Sequence, residues 1–237
     1  YPGKPAQQRA AQAAFIMANS GEVVTYAELE ERSNRLAHLL RANGLQRLDH
    51  YAIFMENNSR YIETCTAGVR AGLYYTCVNS FLTAEELAYI LSNSESKVLI
   101  TSRAKLYVAA KAMRACPNVR VCLVVDGGAG DGPFSDLAQA TGAFPGTPIP
   151  DEWLGTAMLY SSGTTGRPKG ILRPLPEKPP FEPRDVHDHF WRGEHLPAGM
   201  RESAHHTSQG RRCGGVRHPE RGLGRRGQSG CAADARH

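Results

Sequence analysis

Apolar residues fall along the first three quarters of the chain in two alternating rhythms. Thr25-Tyr-Ala-Glu28 has the spacing of a capping box, in which Thr25 accepts from the amide three residues on and Glu28 reaches back. Leu29, Leu36, Leu39 and Leu40 follow at helical spacing, and Gly44 stands where a left-handed C-cap belongs. Tyr51-Ala-Ile-Phe-Met55 is a short apolar run of the kind a buried strand needs. Residues 57–72 return to a helical pattern. Thr83-Ala-Glu-Glu86 repeats the capping box ahead of Leu87, Ile90 and Leu91. Lys97–Thr101 reads as a strand, residues 103–115 as a helix and Val119–Val125 as another strand. Alternation of this sort predicts an α/β fold, a mainly parallel sheet covered by helices.

The rhythm weakens between Asp126 and Pro150, a Gly/Pro/Asp-rich connection with one short helix expected at Phe134–Thr141. Thr156–Tyr160 then reads as a strand running straight into Ser161-Ser-Gly-Thr-Thr-Gly-Arg-Pro-Lys-Gly170, with Ile171–Arg173 extended beyond it.

Composition changes after Pro174. From Phe181 onward there are ten Arg and no Lys, nine Gly, seven of the nine His, no Ile or Tyr, and two each of Val and Leu. So few aliphatic residues cannot offset an ordering cost of roughly 1–2 kcal/mol per residue. The sequence therefore divides into an ordered unit, residues 1–175, and a tail expected to be disordered, residues 176–237.

The remaining global features restrict the partners. A net charge of +5 over 237 residues suits anionic ligands without pointing to nucleic acid. Arg211-Arg212 and Arg225-Arg226 lie among glycines without interleaved aromatics, so they read as solvated charge. His187, His189, His195, His205, His206, Cys213 and His218 match no zinc spacing, and no metal site is assigned to them. No C-x-x-C pair occurs among Cys65, Cys77, Cys116, Cys122, Cys213 and Cys231, which read as reduced thiols, several of them core residues. With no apolar run of about 18 residues and no leader pattern, the expectation is a cytoplasmic protein without a membrane span.

Chemistry concentrates in Ser161–Gly170. Gly163 and Gly166 permit positive φ and leave backbone amides open to an anion. Ser161, Ser162, Thr164 and Thr165 add hydroxyl donors, and Lys169 adds a compact positive charge with Pro168 stiffening the approach to it. Donors plus one cation, with no carboxylate, describe a clamp for polyphosphate. The G-x-x-G-x-x-K spacing is neither that of P-loop nucleotidases nor a dinucleotide G-x-G-x-x-G. The bland alternative is a Ser/Thr/Gly turn between two strands.

Met158–Gly170 resembles the signature loop of the adenylate-forming superfamily, which includes acyl-CoA synthetases, peptide-synthetase adenylation domains and luciferases. Val24–Leu29, Tyr51–Asn58, Glu86–Leu91 and Lys97–Ser102 resemble its upstream elements, and the overall similarity is greatest to bacterial fatty-acyl-CoA synthetases. The resemblance covers about residues 7–175 and implies an incomplete amino-terminal domain of the adenylate-forming fold. It implies a two-step ligase reaction: a carboxylate attacks the α-phosphate of ATP to give acyl-AMP, and the CoA thiol then displaces AMP. ATP with Mg would serve as cofactor, CoA as co-substrate and a carboxylic acid, expected to be fatty, as substrate. Carried over by position, Ser161, Ser162, Gly163, Thr164, Thr165, Gly166 and Lys169 would hold the β- and γ-phosphates. The family's Tyr-Gly-x-Thr-Glu and Thr-Gly-Asp motifs and its carboxy-terminal catalytic Lys domain have no counterpart in these 237 residues. No catalytic residue is therefore assigned, and two readings stand side by side: a ligase fragment inactive in this form, or a non-catalytic remnant that binds nucleotide or a partner. The tail reads as an out-of-frame product of a GC-rich gene, or as readthrough of a truncated one. Translating the other frames of the locus tests this; missing motifs in every frame would overturn it.

Overall fold

The computed structural model describes residues 3–127, 132–161 and 167–175. A first helix, α1 (Gly3–Arg9), leads into an antiparallel pair, β1 (Ala13–Ile16) and β2 (Val23–Thr25). Next comes α2 (Tyr26–Ala42), whose capping box is present: Glu28 N donates to Thr25 Oγ1 at 3.2 Å and Thr25 N donates to Glu28 Oε2 at 2.8 Å. At its other end Gly44 takes φ 79°, with Gly44 N donating to Arg41 O and Leu45 N to Leu40 O, the paired bonds of a Schellman end. The anticipated stripe Leu29, Leu36, Leu39 and Leu40 is buried.

The body then alternates: β3 (His50–Phe54), α3 (Tyr61–Arg70), β4 (Tyr74–Cys77), α4 (Ala84–Asn93), β5 (Val98–Thr101), α5 (Leu106–Met113), β6 (Val121–Val124), β7 (Phe134–Asp136), α6 (Leu137–Thr141) and β8 (Thr156–Ala157). Among the described residues these strands form one six-stranded sheet in the order β7-β6-β5-β3-β4-β8, and every neighbouring pair is parallel. Strict period-2 alternation sends side chains to two cores. Tyr51, Ile53, Val98, Ile100 and Leu123 pack with α2, α3 and α6 on one face. Ala52, Phe54, Leu99, Cys122 and Val124 pack with α4 and α5 on the other. Both faces are covered, which is why these strands are continuously apolar.

Four local expectations need correction. α3 begins at Tyr61, not at residue 57, because the Asn58 side chain accepts from Arg60 N at 2.9 Å and holds a turn there. Tyr74–Cys77 is a strand that no sequence pattern had marked, paired with His50–Ile53. The Gly/Pro/Asp-rich connection contributes the edge strand β7 before its short helix, which is confined to Leu137–Thr141. The apolar run Thr156–Tyr160 is divided, its first two residues joining the large sheet as β8 and its continuation, β9 (Leu159–Ser161), pairing elsewhere. The tail lies outside the described residues, as do Ser162–Gly166 of the loop.

What positions β8 is a dense set of backbone bonds. Trp153 N donates to Arg70 O, Gly155 N to Val69 O at 2.7 Å and Thr156 N to Leu73 O. A Cβ at Gly155 would collide with the backbone of Gly68 and Leu73, so glycine is required by this close approach. Below it the Arg70 side chain, 0% exposed, pairs with Glu30 of α2 at 2.6 Å and Glu152 at 3.6 Å. The last turn of α3 is thereby tied both to α2 and to the segment that enters β8.

Candidate functional site

Because β8 runs parallel to its neighbours, the chain leaves it at the carboxyl edge of the sheet, the side where open α/β sheets bind ligands. There β9 meets β10 (Lys169–Ile171) in an antiparallel ribbon, with Lys169 opposite Ser161, Gly170 opposite Tyr160 and Ile171 opposite Leu159. Ser161 and Lys169 are thus direct cross-strand partners at the mouth of the loop, and their side chains leave the ribbon on one face. Both are exposed. Of the seven candidate residues the structure describes these two; Ser162, Gly163, Thr164, Thr165 and Gly166 lie outside the described residues. The described residues from Leu159 to Leu175 carry Arg167, Lys169 and Arg173 and no carboxylate, so the charge here is uniformly positive.

Helix α4 braces this ribbon through side chains that sequence reasoning passed over. Tyr89 Oη donates to Pro168 O at 3.1 Å, and the Arg167 guanidinium lies 5.4 Å from the Tyr89 ring centroid. One turn further on, Asn93 Oδ1 accepts from Tyr160 Oη at 2.7 Å. Burial, with Tyr89 beside it, pushes the Tyr160 phenol up to about 12, so it remains a neutral donor throughout the physiological range. Tyr74 Oη donates to Arg173 O at 2.8 Å and fixes the exit of the ribbon. Gly170 is crowded as well, since a Cβ there would meet Met158 Cε at 2.5 Å and the Tyr160 ring at 3.3 Å. The one sequence signal for these braces is that Tyr89 and Asn93 stand four apart on α4, off the Leu87-Ile90-Leu91 stripe.

Chemically, the arrangement is an antiparallel ribbon braced from α4, with a lysine and a serine facing each other across it. The sequence between them is rich in glycines and hydroxyls, residue types that can offer donors to an anion. Among the described residues no group of three or more His, Cys, Asp or Glu side chains could hold a metal ion. The described side chains around the ribbon are hydroxyls and cations, with no carboxylate, and do not fit a resident magnesium ion. No helix among the described residues is long and apolar enough to cross a membrane.

The model of the AMP-binding enzyme family matches residues 3–174, which ends at the ribbon just described. The chain belongs to that family. It is 34% identical over 167 residues to the 3-oxocholest-4-en-26-oate–CoA ligase of Rhodococcus rhodochrous, covering 66% of this chain and 29% of that protein. It is 32% identical over 161 residues to a medium/long-chain-fatty-acid–CoA/3-oxocholest-4-en-26-oate–CoA ligase of Mycobacterium tuberculosis, covering 64% of this chain and 29% of that protein. The chain therefore spans less than a third of the length of these relatives. A solved anthranilate CoA ligase, AuaEII, in complex with anthranoyl-AMP superposes with a TM-score of 0.65 over 72% of this chain and 33% of its own. At 21% identity that superposition speaks for the fold alone.

Proposed function

We propose that residues 3–174 form the ATP-phosphate-holding part of a carboxylate–CoA ligase. The observation that carries this reading is the braced ribbon: the family match runs into a hairpin that sets Ser161 and Lys169 opposite each other at the carboxyl edge of a parallel sheet. In this reading Ser161, Ser162, Gly163, Thr164, Thr165, Gly166 and Lys169 hold the β- and γ-phosphates of ATP. A carboxylate oxygen attacks the α-phosphorus, the bond from that phosphorus to the bridging oxygen breaks, and the electron pair leaves with pyrophosphate. Lys169 and the loop donors stabilise the charge that accumulates there. The CoA thiol then displaces AMP. Any magnesium would come with ATP and not from this chain, whose own cation at this place is Lys169.

The acids in the relatives' names, 3-oxocholest-4-en-26-oate and medium- or long-chain fatty acids, support a hydrophobic carboxylate as the acid. A polypeptide of these 237 residues alone would hold nucleotide without turning it over, because the family's ribose, Mg and catalytic-lysine motifs have no counterpart in it. ATP–pyrophosphate exchange with Mg and a panel of fatty acids, run beside ATP calorimetry, tests both parts. Binding without exchange is the expected outcome. Exchange above background would refute the inactivity of this chain, and absence of ATP binding by the folded protein would refute the phosphate-loop reading.

A further inference from the structure

The four described cysteines are free, and two of them meet. Cys65 lies midway along α3 and Cys77 closes β4, the next element in the chain, with their Sγ atoms 3.8 Å apart. Cys65 is 2% exposed, whereas Cys77, at the end of its strand, is half-buried. Cys116 instead neighbours the Ser92 hydroxyl and the Ala88 carbonyl. Polarity within the pair is directional. The Cys77 thiol is held below its ordinary range by hydrogen bonding from Cys65 and from Tyr61, against the opposing effect of burial. The Cys65 thiol is pushed well up, chiefly by burial. Nucleophilic character therefore collects on Cys77, the less buried residue of the two, and Cys65 is placed to resolve it.

We propose that Cys65 and Cys77 form a reversible intramolecular disulfide, a redox modification site joining α3 to β4. A peroxide is the co-reactant. The Cys77 thiolate attacks one peroxide oxygen, the O–O bond breaks, and the departing hydroxide takes up a proton to become water. Cys77 is then a sulfenic acid. The Cys65 sulfur attacks the Cys77 sulfur, the S–O bond breaks, and the hydroxyl leaves as a second water with the Cys65 proton. Two thiols have lost two protons and two electrons, and one peroxide has become two waters. The sulfurs must close by about 2 Å to reach bonding distance, a movement confined to one helix–strand contact. The same contact carries the carbonyls of Val69 and Leu73 that seat Gly155 and Thr156, so the crosslink stiffens the cradle from which the ribbon starts.

Trypsin makes the test direct, because cleavage after Arg60, Arg70 and Lys97 puts Cys65 alone in peptide 61–70 and Cys77 alone in peptide 71–97. The intact folded chain is treated with hydrogen peroxide at neutral pH, alkylated, and mapped without reductant. Expected is a linked pair of these two peptides, lighter by two hydrogens, that appears faster in the folded chain than in denaturing urea and disappears with a dithiol. Cys77→Ala should leave Cys65 reduced, whereas Cys65→Ala should leave Cys77 as sulfenic or sulfinic acid. Peptides 61–70 and 71–97 recovered alkylated and unlinked, or linked no faster folded than in urea, would overturn the proposal.

Discussion

Replacing Arg70 by methionine removes a guanidinium that is wholly buried at the junction of α2, α3 and the entry to β8. Its partner Glu30 lies 2.6 Å away with a side chain 16% exposed, so the carboxylate left behind has little access to water. Removing one member of a buried ion pair costs on the order of 3–5 kcal/mol, because the surviving charge is stranded. Two features pull the value to the low end. Glu30 retains the Asn34 amide as a donor at 3.2 Å, and methionine keeps most of the apolar stem. The expected loss is about 3 kcal/mol, or roughly 6–12 °C in Tm for a chain of this size. Urea unfolding followed by circular dichroism measures it, with Glu30→Gln and the double variant completing a cycle. The double variant should be more stable than Arg70→Met alone, because the Glu30 charge has gone and only Glu152, 3.6 Å from the lost guanidinium, remains. A loss under about 1 kcal/mol for Arg70→Met, or strict additivity of the two changes, would mean that no charge is stranded there.

Three further outcomes follow from the same contacts. Gly155→Ala, which drives a methyl into the backbone of Gly68 and Leu73, should cost at least about 1–3 kcal/mol in thermal unfolding, since backbone cannot move aside as a side chain does. Burial raises the Glu63 carboxyl to about 7, above its unfolded value, against the opposing pull of Arg60. The folded state therefore binds the extra proton, and stability should fall by up to about 3 kcal/mol as pH rises from about 4.5 through 7. Glu63→Gln should flatten that part of a urea-unfolding series across pH. Tyr89→Phe removes one neutral hydrogen bond to Pro168 O, so ATP affinity measured by calorimetry should weaken roughly 2- to 10-fold with little change in Tm.

Much of this fold could be read from residue pattern because the deciding interactions are local. Both capping boxes, at Thr25–Glu28 and Thr83–Glu86, form between residues three apart, and Gly44 marks its helix end by backbone freedom alone. The central strands β3, β5 and β6 announce themselves by unbroken apolar runs, as strands covered on both faces must. Elsewhere the determinants are distant. β7 has three residues and is defined by pairing with Cys122–Val124, which backbone groups of almost any sequence could make. The break between β8 and β9 falls inside a uniformly apolar run, where no change of residue type records the change of partner. Arg70 and Glu30 look like ordinary surface charges on two helices until the tertiary fold buries them together. For the site, glycines, hydroxyls and a lysine in one short segment made the loop stand out as a candidate. The braces from Tyr89, Asn93 and Tyr74 were not, because their partners lie 79, 67 and 99 residues away.

In the function proposed above, the braced ribbon holds ATP through Lys169 and the loop donors. Titration calorimetry of ATP into the folded chain and its Lys169→Ala variant tests it most directly. A charged hydrogen bond is worth about 1.5–3 kcal/mol, so the variant should bind roughly 10- to 100-fold more weakly with Tm unchanged. Equal affinity in the two proteins would mean that Lys169 does not hold the nucleotide.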